Sequence, residues 1–434
     1  MTGTTTGRRV FIAAVIGVSL IASGCKSDKK SATPRPHTTT ASGAPKLALA
    51  TKAKDLKVGL IVSSSGPGAE VKDLAAGAYV AAFRLNGATD ATDKVALIVA
   101  DDNGTADGAV AAMQSMADQG VAGVVYASTG DHLTSGVAKA AELGMPVVLP
   151  YADDPALSDA GSTSFLTGPT IPQVASEFAA HLRNSDRSKV ALVRQAGSYG
   201  DAGKAALTAA GIDFVSDTPY TPGTAFSGKG IVADKPDAVV VWAESAPALA
   251  IADGLSVAGN GSELLFADRA AVPSFGKVLS AALAASVGDG ALSVGPWASA
   301  ATPGNAVDAF FIARDKAVSD GGVTADLAVA DFRSHDAVLA LVTAAGDSTE
   351  RGHALDALRE LSASAMKGTA GVAPDFSKAH ALPDNDVALL TYSTLDDGSG
   401  RYPAVANNGG HWIAVAGTFE TPEALKGLDN PYGG

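Results

Sequence analysis

Short apolar runs without alternation, each followed by an alanine-rich stretch of helical period, recur along most of this chain. Lys57–Val62, Val95–Ala100, Val121–Tyr126, Pro146–Leu149, Lys189–Val193 and Ala238–Trp242 are apolar at nearly every position. A strand that alternates apolar and polar residues has one wet face. A strand that does not is buried on both faces, as in a parallel sheet covered by helices. Between these runs, Val71–Leu85, Ala106–Gln119, Thr134–Leu143, Ile171–Leu182, Ala202–Ala210 and Pro247–Val257 carry helical periodicity. Strand–helix alternation at this spacing predicts βαβ units and doubly wound parallel sheets.

The alternation restarts. One series runs over about 55–165 and a second over about 170–295, with Phe165–Pro169 read as a crossover between them. A third stretch, 298–375, is mostly helical in pattern (Asn305–Ala317, Asp331–Ala345, His353–Ser362), and the tail after Phe376 reads as strand and loop. The expected architecture is α/β: two doubly wound parallel-sheet lobes joined by crossover hinge strands. Residues 55–167 and 298–375 are assigned to the first lobe, and residues 168–297 and 376–434 to the second. In such folds ligands bind outside the carboxyl ends of the strands, here in a cleft between the lobes.

The first 54 residues break this pattern. Arg8 and Arg9 precede the apolar stretch Val10–Gly24, which ends at Cys25, the single cysteine of the chain. A cationic start, a short apolar core and small residues before a cut describe a secretory signal peptide, residues 1–24. The stretch is too short to span a bilayer, which takes about 20 apolar residues. Small side chains before a cysteine resemble a bacterial lipobox, with Ala22 where leucine is more usual, so Cys25 is the expected lipidation site. Gly7–Ile12 resembles a twin-arginine signal, and both the twin-arginine and the general secretory route stay open. Residues 25–54 are rich in Ser, Thr, Pro and Lys and have no apolar period, so they read as a flexible tether. Its lysines suit an anionic membrane surface. The expected location is the extracytoplasmic face of the cell membrane, held by a lipid anchor.

Composition narrows the possibilities. At 47% hydrophobic and 18% charged the chain can bury large cores, and at 6% aromatic those cores must rest on close helix-on-sheet packing of small residues. With one thiol there is no internal disulfide. Residues 1–54 hold nine basic groups and one acid, Asp28, so the remainder is more acidic than the whole-chain charge of −13. An acidic body repels phosphate backbones, and no nucleic-acid partner is expected. There is no HExxH, no P-loop and no GxSxG elbow, and the seven histidines show no zinc-ligand spacing. No catalytic residue, cofactor or metal is therefore assigned.

Several ordered segments resemble the leucine/isoleucine/valine-binding family of solute-binding proteins, the type I flytrap receptors of ABC importers. They are Gly66-Pro67 with a following helix through Gly77, Gly120–Val125, Gly144–Pro150, Ser198–Gly203, Pro236–Val239 and His335–Val338. The likeness spans roughly 55–395. It implies capture of a small ligand, an amino acid or related amine or amide, between two lobes. It also implies ABC permease subunits as partners.

The resemblance further implies where the ligand sits. In that family a Ser/Thr turn before a first-lobe helix holds a carboxylate on backbone amides, because a helix N-terminus offers unpaired N–H groups and a positive dipole end. The matching turn contains Ser128, Thr129, Gly130 and Asp131, where Asp131 departs from the pattern and is equally suited to capping the helix. A second contact matches Tyr151, Ala152 and Asp153, with Asp153 also suited to a turn before Pro155. In the second lobe Tyr199 matches a ligand-facing tyrosine, Trp242, Glu244 and Ser245 stand at a strand's end, and Asp268 falls near the acid that pairs with an amino group. Trp242 also suits plain core, and Arg269 a neutralising role beside Asp268. Asp131, Asp153, Glu244 and Asp268 facing one cleft would favour a cationic or polyhydroxylated ligand.

Two rival readings remain on the sequence. One is the same flytrap acting as a sensor or receptor without transport. The other is an exported α/β hydrolase using Ser128 or Ser198 with a histidine base such as His132.

Overall fold

Every parallel strand predicted from the apolar runs forms, and most of them end at turns that face one cleft. The computed structural model describes residues 52–87, 93–158, 162–270, 292–296, 332–366, 374–378, 380–382, 387–393 and 411–414, with isolated positions between 310 and 327. The signal peptide, Cys25 and the tether up to residue 51 lie outside the described residues, as does most of Asn305–Ala317.

The first sheet has the order β2-β1-β3-β4-β5. Its strands are β1 (Lys57–Val62), β2 (Ala96–Asp101), β3 (Gly123–Tyr126), β4 (Val147–Leu149) and β5 (Ser164–Leu166), all paired in parallel. Helices α1 (Ala76–Asn86), α2 (Ala106–Asp118) and α3 (Leu133–Glu142) connect its strands. The second sheet has the order β12-β11-β10-β9-β8-β6-β7. Its parallel part consists of β6 (Val190–Gln195), β7 (Phe214–Tyr220), β8 (Ala238–Trp242), β9 (Glu263–Phe266) and β10 (Leu292–Pro296). The edge strands β11 (Val387–Ser393) and β12 (His411–Ala414) run antiparallel, so this lobe is a mixed sheet rather than a purely parallel one. Helices α4 (Ile171–Asn184), α5 (Ser198–Ala209), α6 (Lys229–Ala233) and α7 (Ser245–Val257) belong to this lobe. Two later helices, α8 (Phe332–Ala345) and α9 (Arg351–Arg359), follow in the chain, and α8 returns to pack along α1 and β3 of the first sheet.

Burial follows the pattern. Leu60 and Ile61 of β1 and Val239, Val240 and Val241 of β8 are wholly shielded from water, on both faces of their sheets. Each such side chain contributes about 1.5–3 kcal/mol by leaving water. Strand β2 stands at a sheet edge, and Val99 on it is exposed. Helix starts are secured locally. The Thr105 hydroxyl accepts from the Gly108 N–H at 3.1 Å ahead of α2, and the Gln173 side chain accepts from the Thr170 N–H at 2.8 Å ahead of α4.

Three local readings are corrected. Phe165 and Leu166 are not crossover but part of β5, and the chain leaves the first sheet only after them. A three-residue strand has too little sequence to show a period. The tether ends earlier than residue 54, since Ala53 is already buried in the first-lobe core. The segment predicted as one helix over Val71–Leu85 is a 3-10 turn, Ala69–Ala75, that feeds α1.

Buried against α8 is a polar chain that runs from Arg84 to His335 and on to Asp336. Arg84 Nη1 lies 2.8 Å from His335 Nε2, and His335 Nδ1 lies 2.6 Å from Asp336 Oδ1. Burial, reinforced by the Arg84 charge and opposed by Asp336, holds the His335 imidazole below its usual range, so it is a neutral structural link at neutral pH.

Tight packing at one glycine is testable. A Cβ on Gly203 of α5 would fall inside the Trp242 ring system. Alanine at this helical position returns about 1 kcal/mol of propensity, but overpacking a rigid core costs about 1–3 kcal/mol. Gly203→Ala is therefore expected to lower stability by about 1 kcal/mol, read from urea denaturation. A variant as stable as the parent would contradict this packing.

Candidate functional site

Six turns at the carboxyl ends of parallel strands converge on one cavity of about 270 Å³ between the two sheets. From the first lobe it is lined by Pro67 and Gly68 after β1, Gly104 after β2, and Thr129, Gly130, Asp131 and His132 after β3. From the second lobe come Gln195, Ala196, Gly197, Ser198 and Tyr199 after β6, Glu244 after β8 and Arg269 after β9. Helices α3 and α5 begin here, so their first N–H groups and positive dipole ends meet the cavity from opposite sides. Gly130 (φ 116°) and Gly197 (φ 117°) take backbone angles that side chains disfavour, which lets the two turns approach the cavity closely.

Behind the first-lobe wall sits a buried network. Asp102 receives His132 Nε2 at 2.9 Å, the Ser63 hydroxyl at 2.7 Å and the Gly104 N–H at 2.9 Å. Burial opposes its charge, but these hydrogen bonds outweigh that and hold the Asp102 carboxyl well below the usual carboxylate range. It is therefore ionised, and His132 Nε2 carries a proton toward it. This fixes the tautomer and leaves Nδ1 on the Gly130 side of the ring. Ser63 Oγ is 3.5 Å from the same Nε2. A nucleophile–base–acid relay needs serine and carboxylate on different ring nitrogens; here both meet one.

A second network crosses the cleft. Arg269 donates through Nε and Nη2 to the two oxygens of Asp153, both at 2.8 Å, and through Nη1 to Glu244 Oε1 at 3.1 Å. Its guanidinium lies 3.8 Å from the centroid of the Tyr199 ring. Burial works against the Arg269 charge, but Asp153 foremost, then Tyr199 and Glu244, hold it protonated. The Tyr199 hydroxyl donates to Asp268 Oδ1 at 3.3 Å. Burial and the nearby Asp153 charge push the Asp268 carboxyl up to about 8, against the pull of Arg269 and Arg333. Near the cavity mouth, the Ser198 hydroxyl donates to Asp131 Oδ2 at 2.5 Å, a second contact from lobe to lobe.

The sequence-predicted residues divide. Thr129, Gly130, Asp131, Tyr199 and Glu244 line the cavity. Asp131 does not cap α3, because its carboxylate takes the Ser198 hydroxyl instead. Asp153 is not the turn residue; Asp154 is, accepting from the Ala156 N–H, which frees Asp153 for Arg269. Ser128 is fully buried and does not line the cavity; its hydroxyl accepts from the Ser63 N–H at 2.9 Å and from the Ser63 hydroxyl at 3.3 Å rather than bonding to His132. Tyr151 bonds to the Leu74 carbonyl and lies under Arg333, while Ala152 is in the first-lobe core. Trp242 is core, wedged between Phe178 and Tyr199. The Ser245 hydroxyl is held by the Arg269 carbonyl, and Asp268 lies behind Tyr199. The four acids do not stand open in one cleft as expected: Asp153 and Glu244 are engaged by Arg269, and Asp268 is largely protonated at neutral pH. Sequence reasoning missed His132 as a lining residue, along with Gln195 and the reach of Arg269, whose partner Asp153 is 116 positions away. Among the described residues no cluster of three His, Cys, Asp or Glu side chains could hold a metal ion, and no helix is long and apolar enough to cross a membrane.

Comparison with known proteins gives the context for this geometry. Residues 55–398 match the family described as periplasmic binding protein. Among solved structures, the branched-chain amino acid transporter substrate-binding protein LivJ of Streptococcus pneumoniae, in complex with isoleucine, is 17% identical. The match covers 83% of this chain and 99% of that one, with a TM-score of 0.66. The leucine-binding protein LivK of Thermotoga maritima is 15% identical over 83% of this chain and 98% of its own, at a TM-score of 0.62. An extracellular ligand-binding receptor from Rhodopseudomonas palustris is 18% identical over 83% of this chain and 100% of its own, at 0.62. No curated protein sequence matches the chain.

The raised Asp268 pKa has a measurable consequence. Its value is about 8 in the fold against an ordinary 3.8. Between those pH values the folded state holds a proton that the unfolded state has lost, so this group makes stability fall as pH rises through that window. Asp268→Asn cannot ionise and should remove that contribution. In urea denaturation at a series of pH values, the variant is expected to gain on the parent from pH 4 to pH 8. An unchanged difference across the window would refute the assignment.

Proposed function

We propose, from the premise that this chain belongs to the periplasmic binding protein family, that it is an extracytoplasmic solute-binding lipoprotein. In this reading it captures a small polar ligand between its lobes and presents it to the permease subunits of an ABC importer. The observation that carries the reading is the cavity itself: two helix N-termini from different lobes point at one space, with charged side chains of both lobes around it. A volume of about 270 Å³ lies just below the usual range of small-ligand pockets, which begins at roughly 300 Å³. That suits a molecule of amino-acid size, as do the isoleucine and leucine named for two of the similar structures.

The mechanism is closure. The Asp153–Arg269 and Asp131–Ser198 contacts join residues of different lobes, so they exist only when the lobes are close. A ligand that bridges both turns adds its binding energy to the closed form alone, and the population shifts by that difference. The crossover segments between the sheets, such as the one after Leu166, absorb the rotation. No covalent step is required. A permease would then read the closed outline, while acylation at Cys25 keeps the protein on the outer face of the membrane.

Two experiments test this. Thermal unfolding of the purified protein against a broad library of amino acids, amides, organic acids and sugars should find at least one solute that raises the midpoint. Scattering with that solute should show contraction. A library without a single hit, or a solute recovered chemically changed, would sink the proposal. Separately, Cys25→Ser should abolish incorporation of labelled palmitate and release the protein from the membrane fraction. Unaltered labelling would rule out the anchor.

A further inference from the structure

The subsite that would attract an ammonium group is already filled by the protein. Amine recognition needs carboxylates and an aromatic face close together. Here Asp153, Glu244 and the Tyr199 ring supply both, and all three surround the Arg269 guanidinium. That guanidinium is not a removable guest. Its side chain is 8% exposed and its pairing with Asp153 is bidentate. Driving it out would leave a buried charge on each side without its partner.

Three of the five guanidinium N–H groups are used on Asp153 and Glu244. The remaining two, one on each Nη, meet no acceptor among the described residues, and Arg269 lines the cavity. Beside them stands the N-terminus of α5, whose first N–H groups lack intrahelical acceptors, whereas those of α3 are already taken by the Gly130, Asp131 and His132 carbonyls. Two carboxylates also line the cavity, Asp131 and Glu244, each of which spends one oxygen on a protein donor. The cavity thus asks for oxygen acceptors together with a neutral donor such as a hydroxyl or amide N–H. Packing an ammonium against Arg269 would set like charges side by side.

We infer that Arg269 is a specificity-determining residue that selects small hydroxy acids or amides lacking an ammonium group. The inference rests on the solute-binding reading above and narrows its ligand class. The sequence alone suggested the opposite preference, for a cationic ligand, because it could not show that Arg269 reaches Asp153.

The test uses the wild-type protein and matched pairs that differ at one atom: 2-hydroxy acids against 2-amino acids with the same side chain, in aliphatic, aromatic and polar series, with amides alongside. Calorimetric titration should show the hydroxy acid or amide binding at least roughly a hundredfold more tightly than its amino counterpart, since like charges in a buried site oppose binding. An amino acid that binds as well as its hydroxy partner would overturn the inference and leave solute capture standing. Failure of every pair, together with failure of the broad library, would overturn both. Arg269→Met supplies a second measurement. Once Arg269 is removed, the vacated Asp153–Glu244–Tyr199 subsite should take up methylguanidinium, seen as a rise in melting midpoint that the wild type does not show. A folded variant indifferent to methylguanidinium would count against the assignment.

Discussion

The ion pair between Asp153 and Arg269 is the constraint on which the cleft depends. Each partner comes from a different lobe and each is almost wholly buried. A charge in such a place is tolerated only when it is paired, and breaking a pair of this kind costs about 3–5 kcal/mol. Bidentate geometry sets direction as well as distance, because the planar guanidinium fits the carboxylate edge to edge. With Arg269 so oriented, its face lies on Tyr199 and its third edge meets Glu244. One interaction therefore sets the closed approach of the lobes, the position of the aromatic ring and the charge presented to the cavity.

Two aspartates near the cleft show how environment divides one side-chain type into two roles. Asp102 is fully shielded from water, yet three donors keep it ionised. It then orients His132, a cavity residue, through a hydrogen bond to a single ring nitrogen. Asp268 receives one long hydrogen bond from Tyr199 and feels the Asp153 charge, so it is largely protonated at neutral pH. Burial opposes the charge of both; at Asp102 three donors outweigh it, whereas at Asp268 it prevails, with the Asp153 charge adding to it. Ionised Asp102 supports a polar wall, and protonated Asp268 lets the Tyr199 ring rest on an electrically quiet backing.

The backbone contributes as much as the side chains. Parallel strands end together, and the chain must turn there into a helix, so each βα turn delivers free N–H groups to the same edge of the sheet. Two such edges facing each other make a cavity rich in donors without any dedicated residue. Side chains then decide which acceptors are admitted. This explains how 15–18% identity suffices to preserve the fold.

What the sequence by itself determined is the part of the structure governed by local pattern. Unalternated runs at Lys57–Val62 and Ala238–Trp242 became central strands with those same bounds, because a short, β-branched run buried on both faces suits a parallel strand. Most helix periods and the two-lobe restart were legible from the same local pattern, whereas the turn at Thr129–Asp131 was found through the family resemblance. Short or edge strands, β5 and β7 among them, were not, since three residues hold no period and an edge strand is only half buried. The tertiary structure alone decided which acid meets which base. Asp153 and Asp154 are neighbours with equal propensity for a turn, and only the approach of Arg269 from across the cleft sends one to the turn and the other to the ion pair. Charge pairing depends on distance in space, and sequence order carries almost no information about distance over 116 residues.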